Sequence, residues 1–384
     1  MTDAAALARK ALLPAGLRDL LPPDAEHEAQ TVGRLMKVFH AHGYERVKPP
    51  LVEFEEALLS GPGAALAQQT FRIMDPVSQR MMGVRSDMTT QVARIAASRL
   101  GNAPRPLRLS YAGQVLRVKG TQLRPERQFG QVGAELIGAD AVEADAEIVL
   151  LAAAALEAVG ASGVTIDLAV PTLVPLVCRD LDLTDGQIAA VRAALDRRDP
   201  AELAAAAGPA GPALTAMMAA SGPAAAALSR LSALSLPAAA AAERERLARA
   251  VALIVGAAPD LIVTIDPVEQ RGFEYQTGLS FTLFARGVSG ELGRGGRYLG
   301  GENGATEPAT GFTLYTDTVL RAVPGPAPRR RVLLPHGTAP VDGATLRADG
   351  WQTVAALSPV ADPMAEARRL SCSHVLYDGR VEQV

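Results

Sequence analysis

The stretch Arg117-Val118-Lys119-Gly120-Thr121-Gln122-Leu123-Arg124-Pro125-Glu126-Arg127-Gln128-Phe129-Gly130-Gln131-Val132-Gly133-Ala134-Glu135 decides how the chain is read. Before it, Leu107, Leu109, Tyr111, Gly113 and Val115 alternate, which predicts a strand running up to Arg117. After a charged loop, Phe129, Gln131, Gly133 and Glu135 fall on one face of a second strand, so the segment is an antiparallel β-hairpin. That face carries an amide and a carboxylate with only glycine between them. Strand faces that are buried are normally apolar, and polar groups placed there need hydrogen-bond partners. A small ligand with several donors would supply them.

Outward from the hairpin, period and punctuation give the surrounding elements. Residues 24–42 read as a helix, with Asp24 after Pro22-Pro23 as its cap, an apolar stripe of Val32, Leu35, Met36 and Phe39, and Gly43 as its stop. A short strand through Val47 runs into Pro49-Pro50. A second helix spans 86–100, with Ser86 as the expected cap. Asp140 and Glu143 resemble a capping box for a helix that runs to about Gly160, and Val164–Val170 reads as a strand. From 171 to 260 Ala, Leu and Arg dominate, broken by Gly-Pro pairs, which predicts a helical insertion. Strand character returns at 261–265 and continues through 271–285, and 290–304 is dense in glycine. A Pro- and Arg-rich linker at 324–331 precedes alternating strands and helices to residue 384, a small α/β module with parallel strands.

Composition narrows the function classes. At about 150 residues per domain, 384 residues imply two or three domains, and 48% hydrophobic residues can fill their cores. A net charge of −3 argues against a large nucleic-acid footprint. Cys178 and Cys372 have no metal-ligand spacing, and no long uncharged apolar run reads as a membrane span, so a reduced cytoplasmic protein is expected. The five histidines, His27, His40, His42, His336 and His374, stand away from the Arg117 hairpin and from Arg271, so neither a histidine base nor a histidine-held metal is expected.

Three separated segments carry polar groups beyond what packing needs: Arg85-Ser86-Asp87-Met88-Thr89 at a helix start, Arg117 with Gln131 and Glu135, and Arg271-Gly272-Phe273-Glu274-Tyr275. In this order, with Leu13-Pro14-Ala15-Gly16-Leu17-Arg18-Asp19 before them and Gly295-Gly296-Arg297-Tyr298 after, they resemble the catalytic domain of class II aminoacyl-tRNA synthetases, histidyl-tRNA synthetase above all, over roughly residues 12–320. The resemblance implies an α+β fold, an antiparallel sheet flanked by helices. It would occupy 1–170 and 261–322, with the helical insertion at 171–260 and a truncated α/β module, similar to part of an anticodon-binding domain, at 331–384.

The resemblance also implies roles. The counterpart of Asp87 binds the amino group of histidine, and that of Thr89 lies beside it. Those of Gln131 and Arg271 face the carboxylate, that of Glu135 meets the imidazole, and Arg117 and Tyr275 complete the expected histidine site. These assignments are chemically sound, since an acid suits an ammonium and a guanidinium suits a carboxylate. The nucleotide half departs from the pattern. Val118-Lys119-Gly120 stands where the family has His-Glu-Arg, Thr318 stands where an arginine sandwiches the adenine, and Gln276 replaces a second tyrosine. Each lost charge-assisted contact is worth about 1.5–3 kcal/mol, so two losses weaken a nucleotide by two or more orders of magnitude.

This pattern resembles the regulatory subunits of ATP phosphoribosyltransferase, paralogues of the synthetase. That family implies a non-catalytic chain without cofactor, required by a short-form catalytic subunit for the first step of histidine biosynthesis. It further implies L-histidine as feedback effector, a homodimer within a hetero-octamer, and no tRNA or membrane partner. The alternative is an active histidine–tRNA ligase, which Lys119, Thr318 and the short C-terminal module oppose.

Overall fold

In the computed structural model, residues 12–122, 124–270, 275–302, 305–326 and 328–384 are described. The chain divides into two compact units at Pro324–Gly325. In the larger, the strands in chain order are β1 (Glu45–Arg46), β2 (Val52–Phe54), β3 (Phe71–Met74), β4 (Met81–Val84), β5 (Leu107–Leu116), β6 (Gln128–Ile137), β7 (Val164–Ala169), β8 (Gly222–Pro223), β9 (Ile262–Ile265), β10 (Gln276–Ala285), β11 (Gly293–Glu302) and β12 (Ala305–Tyr315). Nine of them form one sheet in the order β1-β5-β6-β12-β11-β10-β7-β9-β8, and β2-β4-β3 form a second. From β5 across to β7 every neighbouring pair is antiparallel, while β1–β5 and β7–β9 pair parallel. The predicted hairpin is therefore β5–β6.

The helices of this unit are α1 (Asp24–Ala41), α2 (Glu55–Leu58), α3 (Thr89–Ser98), α4 (Val142–Ala158), α5 (Leu173–Asp180), α6 (Asp185–Asp196), α7 (Pro200–Ala207), α8 (Gly211–Ala219), α9 (Ala224–Ser232), α10 (Ala238–Ala257) and α11 (Thr316–Ala322). The period of two in β6 sorts the core into two layers. Val132, Ala134 and Leu136 join Leu35 and Phe39 of α1 and Ile148 and Val149 of α4 in one cluster, which continues through the helices of 171–260. At ~1.5–3 kcal/mol for each large side chain removed from water, this layer is the main source of stability. On the opposite face, Met88 and the α3 residues Val92, Ala93 and Ala96 meet Leu109, Tyr111, Val115, Phe129 and Ile137. Phe129 and Ile137 thus bracket the polar row Gln131, Gly133 and Glu135.

The glycine-dense segment is strand β11. Its Arg297, 5% exposed, turns to the helix side, where Nη2 meets Asp145 Oδ1 of α4 at 2.8 Å. Arg246 of α10 reaches the same carboxylate at 3.1 Å, so one buried acid ties α4 to the sheet and to α10. The segment 171–260 is helical as predicted, with one addition: Gly222-Pro223, read as a break, also pairs with Thr264 and Ile265 at the sheet edge.

Three predicted helix caps are corrected. Asp24 is the first residue of α1 and Pro23 is its N-cap, without a side-chain hydrogen bond. Met88, not Ser86, is the N-cap of α3, and the Ser86 hydroxyl instead lies 3.2 Å from that of Thr70. Ala141 is the N-cap of α4, because Asp140 is drawn to Arg297 at 3.1 Å, a charged partner that outcompetes a backbone N–H. A capping box does form at Thr184 and Gln187, at the start of α6.

The smaller unit holds a four-stranded sheet of β13 (Arg331–Leu334), β14 (Gln352–Ala355), β15 (His374–Tyr377) and β16 (Arg380–Gln383), ordered β14-β13-β15-β16. As expected, β13 pairs parallel with β14 and β15, and β16 closes the edge antiparallel. Its core is small: Leu333, Ala367, Cys372 and Val375.

Candidate functional site

Register brings the site together. Gln131 stands opposite Gly113 and Tyr315, Gly133 opposite Tyr111 and Thr313, and Glu135 opposite Leu109 and Gly311. Across β12, Ala309 faces Tyr298 of β11, and Tyr298 faces Gln276 of β10. Directly paired residues share a sheet face, so five strands, β5, β6, β12, β11 and β10, contribute to one row. Two glycines are sterically required. A Cβ on Gly133 would meet the Tyr111 ring and hydroxyl at 2.5 Å, and one on Gly311 would overlap the Glu135 carboxylate.

Gln131 and Glu135 are 0% and 1% exposed, and the protein itself satisfies much of their bonding. The Met88 N–H donates to Gln131 Oε1 at 2.9 Å, and Gln131 Nε2 donates to Asp87 Oδ2 at 2.8 Å. Asp87 Oδ1 accepts the Thr89 N–H at 2.8 Å, so this acid also holds the first turn of α3. The Tyr298 hydroxyl donates to Glu135 Oε2 at 2.9 Å and that of Tyr111 to Oε1 at 3.2 Å. The Thr89 and Thr313 hydroxyls lie 3.2 Å and 2.6 Å from the Tyr111 oxygen. The expectation that a ligand alone would satisfy the row is therefore corrected: a network of tyrosines, threonines and Asp87 does so, and a ligand would join or displace its bonds.

Electrostatics follow burial. Desolvation pushes the Glu135 carboxyl up to about 8, against the pull of the Tyr298, Thr89 and Tyr111 hydroxyls, and the Asp87 charge adds to the rise. Burial likewise raises the Tyr111 and Tyr298 hydroxyls well above the usual phenol range. Tyr275 is raised for the same reason, with the Asp87 and Glu135 carboxylates reinforcing it.

Of the residues predicted from the sequence, Asp87, Thr89, Gln131 and Glu135 belong to one hydrogen-bonded cluster. Tyr275 packs edge-on against Tyr298, with ring centres 6.1 Å apart, just before β10 rather than in a strand. Arg117 stands at the end of the row, its guanidinium 5.0 Å from the Phe129 ring centre and its Nε donating to the Ser86 carbonyl at 3.3 Å. Arg271 lies outside the described residues. Tyr111, Tyr298 and Thr313 were not predicted as site residues. Tyr111 and Tyr298 stood in segments already singled out, but only cross-strand register shows that they meet Glu135. Where the nucleotide pattern departs, Lys119 is exposed, whereas Thr318 is fully buried and its Oγ1 accepts from Arg124 Nη2 at 3.1 Å. Among the described residues, no group of three or more His, Cys, Asp or Glu is placed to hold a metal ion. A groove of about 950 Å³ between α4 and α10, lined by Leu150, Glu157 and Leu253 among others, contains none of the site residues.

Comparison with known proteins agrees with this architecture. The family model described as histidyl-tRNA synthetase matches residues 16–319. The ATP phosphoribosyltransferase regulatory subunit of Rhodospirillum centenum is 71% identical over 384 residues, covering 100% of this chain and 99% of the relative. That of Paramagnetospirillum magneticum is 61% identical, with 98% of each chain covered. Among solved structures, an ATP phosphoribosyltransferase regulatory subunit/histidyl-tRNA synthetase from Bacillus halodurans superposes with a TM-score of 0.80 at 22% identity, covering 93% of this chain and 96% of the other. Histidyl-tRNA synthetase from Nostoc gives 0.79 at 18% identity, covering 96% and 91%. The last two establish the class II synthetase-like α+β fold. With identities of 61% and 71% over essentially the whole length, the chain belongs to the ATP phosphoribosyltransferase regulatory subunit family, built on the histidyl-tRNA synthetase fold.

Proposed function

We propose that this chain is the non-catalytic regulatory subunit of an ATP phosphoribosyltransferase, that it binds L-histidine in the row described above, and that it transmits feedback inhibition to a short-form catalytic subunit in the cytoplasm. The observation that carries the reading is the sequence Asp87–Gln131–Glu135 along one face. A half-buried acid there suits an α-ammonium, an amide beside it suits a carboxylate, and a buried carboxyl with a raised pKa suits an imidazole nitrogen. A site whose polar groups are matched to one ligand rejects look-alikes that leave them unpaired. The relatives' names support the regulatory role, and Lys119 and Thr318 support the loss of adenylation. The assembly proposed is a homodimer of this chain within a hetero-octamer that contains four catalytic chains, without tRNA.

Titration calorimetry with L-histidine, on this chain alone and in complex with the catalytic subunit, is the direct test. Binding in at least one form is expected, and no binding in either refutes the sensor. Histidine-driven ATP–pyrophosphate exchange by the chain would establish a ligase instead. Glu135→Ala and Arg271→Ala are each expected to relieve histidine inhibition while the complex still forms. An unchanged inhibition curve would remove those residues from the site.

A further inference from the structure

The loop between β5 and β6 folds back onto the sheet through the Arg124 side chain, with Arg117 beside it over the same Phe129 ring. Its turn closes on itself, with the Thr121 N–H bonded to the Arg124 carbonyl at 2.7 Å and the Arg124 N–H to Thr121 Oγ1 at 3.0 Å. From there the Arg124 side chain runs inward until only 10% of it is exposed. Its guanidinium carbon lies 3.8 Å from the centre of the Tyr315 ring and 5.0 Å from that of Phe129. Those rings meet edge to face with centres 5.8 Å apart, so they wall one corner. Around the rim Nε donates to Asp317 Oδ2 at 3.2 Å, and Nη2 donates to Thr318 Oγ1 at 3.1 Å and to the Glu291 carbonyl at 3.3 Å.

A flat cation therefore fills a slot with aromatic walls and a rim of acceptors, and the chain supplies both the slot and its occupant. Asp317 Oδ1 is buried there without a hydrogen-bond partner, so the rim has more acceptor capacity than Arg124 uses. Without Arg124, this slot would match a planar, nitrogen-rich group: its face would stack on the rings and its N–H groups would reach Asp317 and Thr318. Phe129 is two residues from Gln131 on the same strand face, so the slot adjoins the amino-acid row. Position 318 fits the same logic. A cation there would sit within hydrogen-bond distance of the Arg124 guanidinium, whereas threonine accepts from it.

We propose that Arg124 is the specificity-determining residue of this cleft: it occupies the planar slot beside the amino-acid row and so excludes nucleobases and other flat nitrogen heterocycles. The proposal rests on the reading that the cleft takes an amino acid without adenylating it, and it assigns that restriction to a residue of the loop.

The test uses the full chain and the Arg124→Ala variant in three measurements. In thermal unfolding, millimolar methylguanidine is expected to stabilise the variant by refilling the slot, with no effect on the parent chain. In calorimetry, ATP is expected to bind the variant at least about ten-fold more tightly than the parent. Equal action of methylguanidine on both proteins, or equal ATP affinity, overturns the proposal. If the alanine variant does not fold, Arg124→Gln, which is shorter and uncharged, takes its place and the ATP comparison decides. L-Histidine titrated in parallel separates the two readings. A parent chain that fails to bind histidine, while the other measurements run as expected, removes the sensor and leaves the slot. Retained histidine binding with equal ATP affinities does the reverse.

Discussion

Replacing Glu135 by Gln should abolish a pH dependence that the native chain carries. The carboxyl is buried against Tyr111 and Tyr298, and desolvation lifts it from 4.5 to about 8. A raised folded-state value means that the protonated form is the one the fold prefers. The contribution to stability is therefore complete below pH 4.5 and is lost as pH rises to 8, where the folded form also ionises. Within that window each pH unit is worth ~1.4 kcal/mol, so the loss reaches roughly 3 kcal/mol at pH 7 and has a ceiling of roughly 5 kcal/mol above pH 8. Glutamine has the same shape and can keep bonds to both tyrosine hydroxyls, but it does not titrate. Urea unfolding of both proteins at half-unit steps from pH 5 to 9, without histidine, gives the comparison. Taking the difference between them cancels the titration of other groups. The native chain should lose stability relative to the Gln variant steadily as pH rises. A difference that stays constant across that range would show that Glu135 is already ionised in the empty site and would refute the reasoning.

Four further outcomes are expected. Gln276→Leu should weaken histidine binding while preserving or raising the melting temperature of the empty chain, because Gln276 Oε1 is a buried acceptor without a partner that the ligand would supply; calorimetry and thermal unfolding check this. Gly133→Ala should cost ~1–3 kcal/mol in urea unfolding and abolish histidine binding, since the added Cβ drives into Tyr111. Asp145→Ala should destabilise by ~3–5 kcal/mol in the same assay, because it takes from the buried Arg297 its buried acid, leaving only the exposed Asp140, and cuts the link to the half-buried Arg246. Histidine should change amide hydrogen exchange in the first turns of α3, read by mass spectrometry, and unchanged protection there with histidine bound would count against the coupling argued below.

The hairpin was legible because period-two alternation is local: each residue from 107 to 115 and from 129 to 135 declares its face from its neighbours alone. The polar row was legible for the same reason. What supports the row was not, because it depends on register. Tyr111 reaches Glu135 only because β5 and β6 pair Tyr111 with Gly133, and Tyr298 reaches it from 163 residues away in sequence. Arg124 lies in a stretch that reads only as a charged loop, and its partner Asp317 is 193 residues distant. The misplaced caps have a related cause. Asp140 has the right chemistry and spacing for a capping box, but Arg297 of β11 competes for it, and no local pattern announces that arginine. The Gly-Gly-Arg-Tyr motif reads as one unit in sequence, yet the strand splits it: Arg297 braces the helix layer while Tyr298 faces the site.

On the proposed reading, the site has the means to act as a regulator without any chemistry of its own. An effector shifts an equilibrium only by the difference in its affinity for two states, and a ten-fold effect on activity needs ~1.4 kcal/mol of that difference. A hydrogen bond to a charged group is worth ~1.5–3 kcal/mol, so a single such bond that is present in one state and exchanged in the other is sufficient. The structure contains one in the right place. Gln131 bridges the Met88 N–H and the Asp87 carboxylate, and Asp87 also holds the Thr89 N–H, so strand β6 is tied to the start of α3 through two side chains. An amino acid whose ammonium takes Asp87 and whose carboxylate takes Gln131 must compete for both, and so it alters the tie between helix and sheet at the moment it binds. An adenylating enzyme would spend this binding energy on positioning a nucleotide. Here Arg124 stands in the neighbouring slot, and the histidine binding energy is left free to be expressed as a change in how α3 is held.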